Sequence, residues 1–109
     1  MKHWPLRRVA VHGDSMRPAL APGDRLVVLA WPWWRPRRGQ VVAVVDPRDG
    51  RRVLVKRVAS ADERGVTVLG DNATTSTDSR TFGPVDRALV LGRAVYRYWP
   101  ETRRGRLRR

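Results

Sequence analysis

The apolar positions of this chain fall in short valine-rich runs divided by turn residues. Runs at 25–30, 40–45, 52–59, 65–69 and 88–99 concentrate β-branched and aromatic residues over strand-like lengths. Asp46-Pro47-Arg48-Asp49-Gly50 separates the second run from the third with Asp-Gly turn chemistry, and Ala61-Asp62-Glu63-Arg64-Gly65 separates the third from the fourth. Three consecutive strands therefore form an antiparallel meander. No window of helical length carries a 3.6-residue apolar period, which confines helix to a turn or two, placed just after Asp14-Ser15. The predicted fold is all-β, a small coiled antiparallel sheet or partly open barrel with little helix. Two long stretches, 13–23 and 70–87, lie outside the strands, and loops of that length in a compact domain usually carry function.

Length limits the chain to one core: 109 residues suit one catalytic-size β domain, read here as 1–98, with 99–109 as a basic, disordered tail. Cysteine is absent, which removes disulfides, thiolate zinc sites and thiol catalysis. The longest apolar stretch, 26–34, contains Pro32 and is far below the roughly twenty residues that span a bilayer. The first residues, MKHWPLRRVAV, offer no apolar region of the secretory kind. The expectation is a cytoplasmic protein, with a position on the inner face of the membrane as the alternative.

The formal net charge of +13 favours anionic partners. Much of that excess sits in Arg103-Arg104-Gly105-Arg106-Leu107-Arg108-Arg109 and in pairs such as Arg7-Arg8 and Arg51-Arg52. Lysine occurs only at Lys2 and Lys56, so arginine use is partly a compositional bias of the whole chain. Trp31-Pro32-Trp33-Trp34 stands beside Arg35, Arg37 and Arg38. This segment either folds over the core or docks peripherally on an anionic membrane or a substrate protein. Aromatics among cations also suit single-stranded nucleic acid, but no nucleic-acid motif accompanies them, and no nucleic-acid partner is expected.

Three segments carry candidate chemistry. Gly13-Asp14-Ser15-Met16-Arg17-Pro18 places a serine between a permissive glycine and a proline that fixes the chain. Asp14 or Ser15 would equally cap a short helix. A nucleophilic serine needs a base, and the two histidines, His3 and His12, both precede it. Lysine is the other choice. Lys56 lies in Val53-Leu54-Val55-Lys56-Arg57-Val58, where a two-residue period puts it on one face with Leu54 and Val58. A free lysine is about 0.1% neutral near pH 7.4, too little for a base, but apolar burial lowers its pKa, and arginine cannot be tuned this way. The third segment, 70–85, is dense in hydroxyls, with Asp78 and Arg80 spaced to pair across a turn.

Taken together, these segments resemble the signal peptidase I family of Ser/Lys-dyad proteases. Gly13-Asp14-Ser15-Met16 with Pro18 resembles the family's nucleophile box, and Val55-Lys56-Arg57-Val58 its lysine box. Gly70-Asp71-Asn72, Ser76, Asp78-Ser79-Arg80 and Phe82-Gly83-Pro84-Val85 resemble its last box, and the likeness covers about 9–96. The resemblance implies that Ser15 attacks the scissile carbonyl, Lys56 takes its proton and Ser76 orients the lysine. It also implies that Gly13, Met16, Pro18, Gly70, Asp71, Asn72, Asp78, Ser79 and Arg80 support the site, and that no metal or cofactor is needed. The position two before Ser15, a serine in some members, is Gly13 here.

Family members that process exported proteins carry membrane helices and a β insertion before the Gly-Asp-Asn box, and neither is visible in this sequence. The likeness therefore points most closely to the nickel-type superoxide dismutase maturation proteases. The expected partner is a soluble precursor protein with an N-terminal propeptide, cut by a serine endopeptidase. Two alternatives stand beside it: signal peptidase I-type cleavage of exported precursors, and a basic β module that binds nucleic acid or surfaces without catalysis.

Overall fold

The computed structural model describes residues 6–107 and is almost entirely β. Seven strands form one sheet: β1 (Leu6–Ala10), β2 (Arg25–Leu29), β3 (Val41–Asp46), β4 (Asp49–Asp62), β5 (Gly65–Leu69), β6 (Val90–Trp99) and β7 (Gly105–Arg106). Their order is β1-β2-β6-β3-β4-β5, with β7 added to β6, and the sheet does not close into a barrel. Every pairing between strands is antiparallel, and β3-β4-β5 is the expected meander.

Alternation along β3 divides the core in two. Val41 and Ala43 join Val11, Met16, Leu20, Leu26, Val28, Val55 and Ala94 on one face. Val42 and Val44 join Leu54, Val58, Val66, Val68 and Val85 on the other. Successive side chains of a strand point to opposite faces, so a central strand covered on both sides is a continuous valine run.

The structure departs from the sequence reading in four places. β1 was not anticipated, because Leu6-Arg7-Arg8-Val9-Ala10 is short and mostly exposed; its five-residue register with β2 supplies the order its composition lacks. The first hairpin turns at Pro47-Arg48 and not at Asp49-Gly50, which belong to β4. Asp46 explains the shift: its buried carboxylate accepts the Arg48 backbone N–H at 2.8 Å and pairs with the Arg48 guanidinium at 2.9 Å.

The helix expected after Asp14-Ser15 is a pair of hydrogen-bonded turns, Arg17 N–H to Asp14 O and Leu20 N–H to Met16 O. Pro18 removes a donor there and disfavours the helical conformation at Arg17. The α-helix among the described residues is instead α1 (Ser79–Phe82), whose first turn is capped by the Asp78 carboxylate. Short 3₁₀ turns occupy Arg87–Leu89 and Glu101–Arg103.

The segment read as a disordered tail is built into the fold as far as residue 107; residues 108–109 lie outside the described residues. β7 pairs Tyr96 with Arg106 and Arg97 with Gly105. Arg97 and Arg103 both form ion pairs with Asp24, which is fully buried. Asp24 sits at the end of the loop that carries Ser15, so charge pairing, together with Leu107 packed against the core, orders this arginine-rich segment. Trp34 packs against the β3-β4-β5 side of the core, while Trp33 is 77% exposed.

Candidate active site

Ser15 lies in the loop between β1 and β2, and that loop is pinned at both ends. Val11 N–H donates to Asp24 O at 2.8 Å and Gly23 N–H to Val11 O at 2.9 Å, which closes its base. Met16 and Leu20 are buried in the core and anchor its middle. Gly13 has φ 77°, a left-handed conformation that favours glycine, just before Asp14-Ser15. Asp14 pairs with Arg17 on the exposed side of the same turn, ahead of the exposed Pro18.

The loop after β5 docks against it. Asn72 N–H donates to Ser15 O at 2.8 Å, and Asn72 Nδ2 to Asp14 O at 3.3 Å. Gly70 is the point of closest approach: a Cβ there would lie 2.2 Å from Ser76 Oγ and 2.7 Å from Ser15 O. Glycine is therefore required by contact. Asp71 forms a two-oxygen ion pair with Arg57, at 2.8 and 2.9 Å, and Arg57 also donates to Gly39 O. This clamp holds the Gly-Asp-Asn turn to the strand position beside Lys56. Ser79 Oγ accepts Val68 N–H at 2.9 Å and ties α1 to β5.

Lys56 is 3% exposed, on the face of β4 shared with Leu54 and Val58, as its period requires. Its Nζ donates to Ser76 Oγ at 3.0 Å. Ser76 in turn donates to Asp78 Oδ2 at 2.5 Å. Asp78 is fully buried and also accepts from Gly70 N–H, Arg80 N–H and the Arg80 guanidinium. The arrangement is a directed chain, from the ammonium through a hydroxyl to a carboxylate held by an arginine.

Burial pushes the Lys56 pKa down from its ordinary value; the negative charge of Asp78 opposes that shift, while Arg52, Arg80 and Arg48 add to it. Asp78 also pays a desolvation cost, but the Arg80 guanidinium, the Gly70 N–H and the Ser76 hydroxyl outweigh it and hold the carboxyl far below the usual carboxylate range. Asp78 is thus an anion at any working pH. The buried ammonium is the weaker-held charge of the two.

Ser15 and Lys56 line the same cleft, about 570 Å³ in volume, between β1, the first half of β4 and the 12–15 segment. β4 is bonded to β5 only from Arg57 onward, which leaves the other edge of 49–56 open, and β1 ends the sheet on the opposite side. The cleft thus has an unpaired strand edge on each wall. His12 lines it as well; His3 lies outside the described residues. Among the described residues no group of three or more His, Cys, Asp or Glu gathers as a metal site would require.

The structure therefore brings all three segments of the sequence reading into one place. The Arg57–Asp71 pairing was missed, although both residues lie within the motifs, Arg57 in the lysine box and Asp71 in the Gly-Asp-Asn turn. Asp24 carried no signal in the sequence; its two arginine partners lie more than seventy residues away.

A buried lysine and a loop serine on one cleft of an open β-sheet fit the class of Ser/Lys hydrolases. The family described as signal peptidase, peptidase S26 matches residues 3–62 and 60–99, and the chain belongs to it. It is 38% identical to the mitochondrial ATP-independent inner membrane protease subunit 1a of Arabidopsis thaliana, over 90% of this chain and 73% of that protein. It is 31% identical to the mitochondrial inner membrane protease subunit 2 of Schizosaccharomyces pombe, over 89% and 67% respectively. The Danio rerio subunit 2 is 32% identical, over 85% and 64%.

The chain is accordingly a serine peptidase, which overturns the alternative of a basic module without catalysis. The narrower likeness to nickel-type superoxide dismutase maturation proteases finds no support in these relatives, all of them inner membrane protease subunits. Small size and the lack of a visible membrane anchor had carried that narrower expectation, and neither encodes a substrate.

Proposed function

We propose that this peptidase cuts precursor proteins in an extended segment, by signal peptidase-type cleavage, with Ser15 as nucleophile and Lys56 as general base. The observation that carries the reading is the burial of Lys56, held on Ser76, in the cleft that Ser15 also lines. Neutral Lys56 Nζ takes the Ser15 Oγ proton as the oxygen attacks the scissile carbonyl. The Ser15 backbone N–H is one donor for the developing oxyanion. The protonated lysine then gives its proton to the leaving amine, and the acyl-serine is released by water that the neutral lysine activates in turn. Ser76 accepts from the lysine and keeps its lone pair aimed at the reacting oxygen. A substrate strand fits between the two open edges of β1 and β4, where backbone hydrogen bonds bind it without regard to side chain.

The relatives favour precursors delivered at a membrane over a soluble nickel superoxide dismutase precursor, and a membrane-side location over a cytoplasmic one. No helix among the described residues is long and apolar enough to cross a bilayer. Peripheral contact through the exposed Trp33, with Trp31, Trp34 and the neighbouring Arg35 and Arg37, is consistent with work at such a surface.

Co-expression with one precursor of each kind, followed by mass spectrometry of the product N-terminus, tests the reading. Cleavage of the signal-segment precursor should vanish in Ser15→Ala, Lys56→Met and Lys56→Arg alike, since guanidinium keeps its proton. A Lys56→Arg variant of near wild-type rate removes the general-base role. Cleavage of the superoxide dismutase precursor alone restores the narrower reading.

A further inference from the structure

The cleft has a polarity that the peptidase chemistry does not use. β1 is antiparallel to β2, β2 to β6, β6 to β3 and β3 to β4, so after four reversals β1 and β4 run in the same direction. Both walls reach the catalytic end last: β1 leads through residues 11–14 to Ser15, and β4 leads to Lys56. Both also begin with a pair of arginines on the cleft, Arg7-Arg8 on one wall and Arg51-Arg52 on the other. The end of the cleft remote from the dyad is therefore lined by four arginine residues.

These four residues are exposed, and none forms an ion pair with another side chain among the described residues. Among the described residues, the one carboxylate on the cleft lining, Asp14, stands at the opposite end and is already paired with Arg17. Elsewhere in the fold, Asp24, Asp46, Asp71 and Asp78 each hold arginine in an ion pair. The arginines at the cleft end meet no such carboxylate among the described residues.

We infer that the cleft selects substrate segments bearing carboxylates, placed on one side of the scissile bond only. Arg52 precedes Lys56 by four positions, about 13 Å along an extended strand. A peptide lying beside β4 thus presents residues about three to five positions from the cut to the four arginines. Because all four lie at one end, acidic residues on the other side of the cut gain nothing. Guanidinium groups bind carboxylates through paired N–H donors, and a cleft lined by one sign of charge concentrates opposite charge within it. This inference rests on the peptidase reading and adds the chemical class of its substrate.

The test uses the full chain and a set of peptides sharing one cleavable core. Two Asp or two Lys residues, or neutral ones, occupy positions three to five residues before the cut in one series and after it in the other. In one series alone, the acidic peptide should exceed the neutral one by about tenfold in kcat/KM at low ionic strength, the lysine peptide should fall below it, and 0.5 M salt should erase the difference. The triple variant Arg7→Gln, Arg8→Gln, Arg51→Gln should lose most of the acidic preference while cutting the neutral peptide at the wild-type rate. Equal, salt-insensitive cleavage of acidic, neutral and basic peptides in both series overturns the preference and leaves the peptidase reading standing. If no peptide is cut by the wild-type chain under any condition, the peptidase reading falls and the preference falls with it.

Discussion

Asp24 and Asp78 are both fully buried carboxylates bound by arginine, yet they serve different ends of the molecule. Asp24 is shared by two guanidiniums, from Arg97 and Arg103, and its remaining bond is the Ala21 N–H at 2.9 Å. It binds the C-terminal segment beneath the Ser15 loop, with Arg97 also donating to Ala19 O. Asp78 has one arginine and spends its other bonds on Gly70 and on Ser76, which reaches Lys56. Buried anion and arginine make architecture when every bond points to structure, and a candidate site when one bond is passed on, through Ser76, to the buried lysine of the cleft.

Removing the passed-on charge should have the largest effect. Asp78→Asn replaces an acceptor-only group with an amide whose N–H₂ faces the Gly70 and Arg80 donors. The chain to Lys56 then loses its fixed direction, and kcat should fall by about 10- to 100-fold, read in a peptide-cleavage assay with KM little changed. The same variant has a stability signature. A carboxyl held below its ordinary pKa stabilises the fold fully above the unfolded value of about 4, and that contribution is lost as pH falls through the lower range. Acid unfolding followed by circular dichroism should therefore be less steep in Asp78→Asn than in wild type.

At the other carboxylate the loss should appear in stability first. Asp24→Ala leaves two guanidiniums facing each other, 18% and 41% exposed. Solvent relieves part of the cost, so the expected destabilisation is about 2–3 kcal/mol, below that of a wholly buried pair. For a domain of this size it lowers Tm by about 10 °C. Activity at low temperature should survive better than in Asp78→Asn. The reverse order, a stable but inactive Asp24→Ala, would assign Asp24 to the site.

This division explains what the sequence could and could not tell. Strands β2 to β6 follow from valine runs and turn residues, since each signal lies within the segment it describes. The meeting of the Ser15 loop, Lys56, Ser76 and the Gly-Asp-Asn turn around one cleft was legible because each lies in a contiguous motif. The β1 strand and the ordered C-terminal segment were not, because their order comes from partners elsewhere: β2 for one, Asp24 for the other. A run of arginines reads as solvated charge until a buried carboxylate from a distant loop is set against it.

A smaller effect is expected one bond nearer the dyad. Ser76→Ala removes the acceptor that receives Lys56 Nζ at 3.0 Å but leaves the buried lysine and Asp78 in place. Activity should drop by about tenfold and be restored in large part by Ser76→Thr, which keeps the hydroxyl. Full loss in Ser76→Ala would make this serine a reacting group.

The finest separation of the two carboxylates is in the pH profile. Under the proposed dyad, activity rises with pH as Lys56 loses its proton, with a midpoint below the ordinary lysine value of about 10.4, because burial disfavours the ammonium. The Asp78 charge works against that shift by stabilising the ammonium. Asp78→Asn, though slower at every pH, should move the midpoint further down. Arg52→Gln removes a positive charge that disfavours the ammonium and should move it up. Asp24→Ala, whose charge does not figure among the influences on Lys56, should leave the midpoint where it is. Opposite displacements in the first two variants and none in the third, measured as log kcat/KM against pH, would tie the tuning of Lys56 to Asp78 and Arg52. A common midpoint in all four proteins would mean that the titrating group is not Lys56.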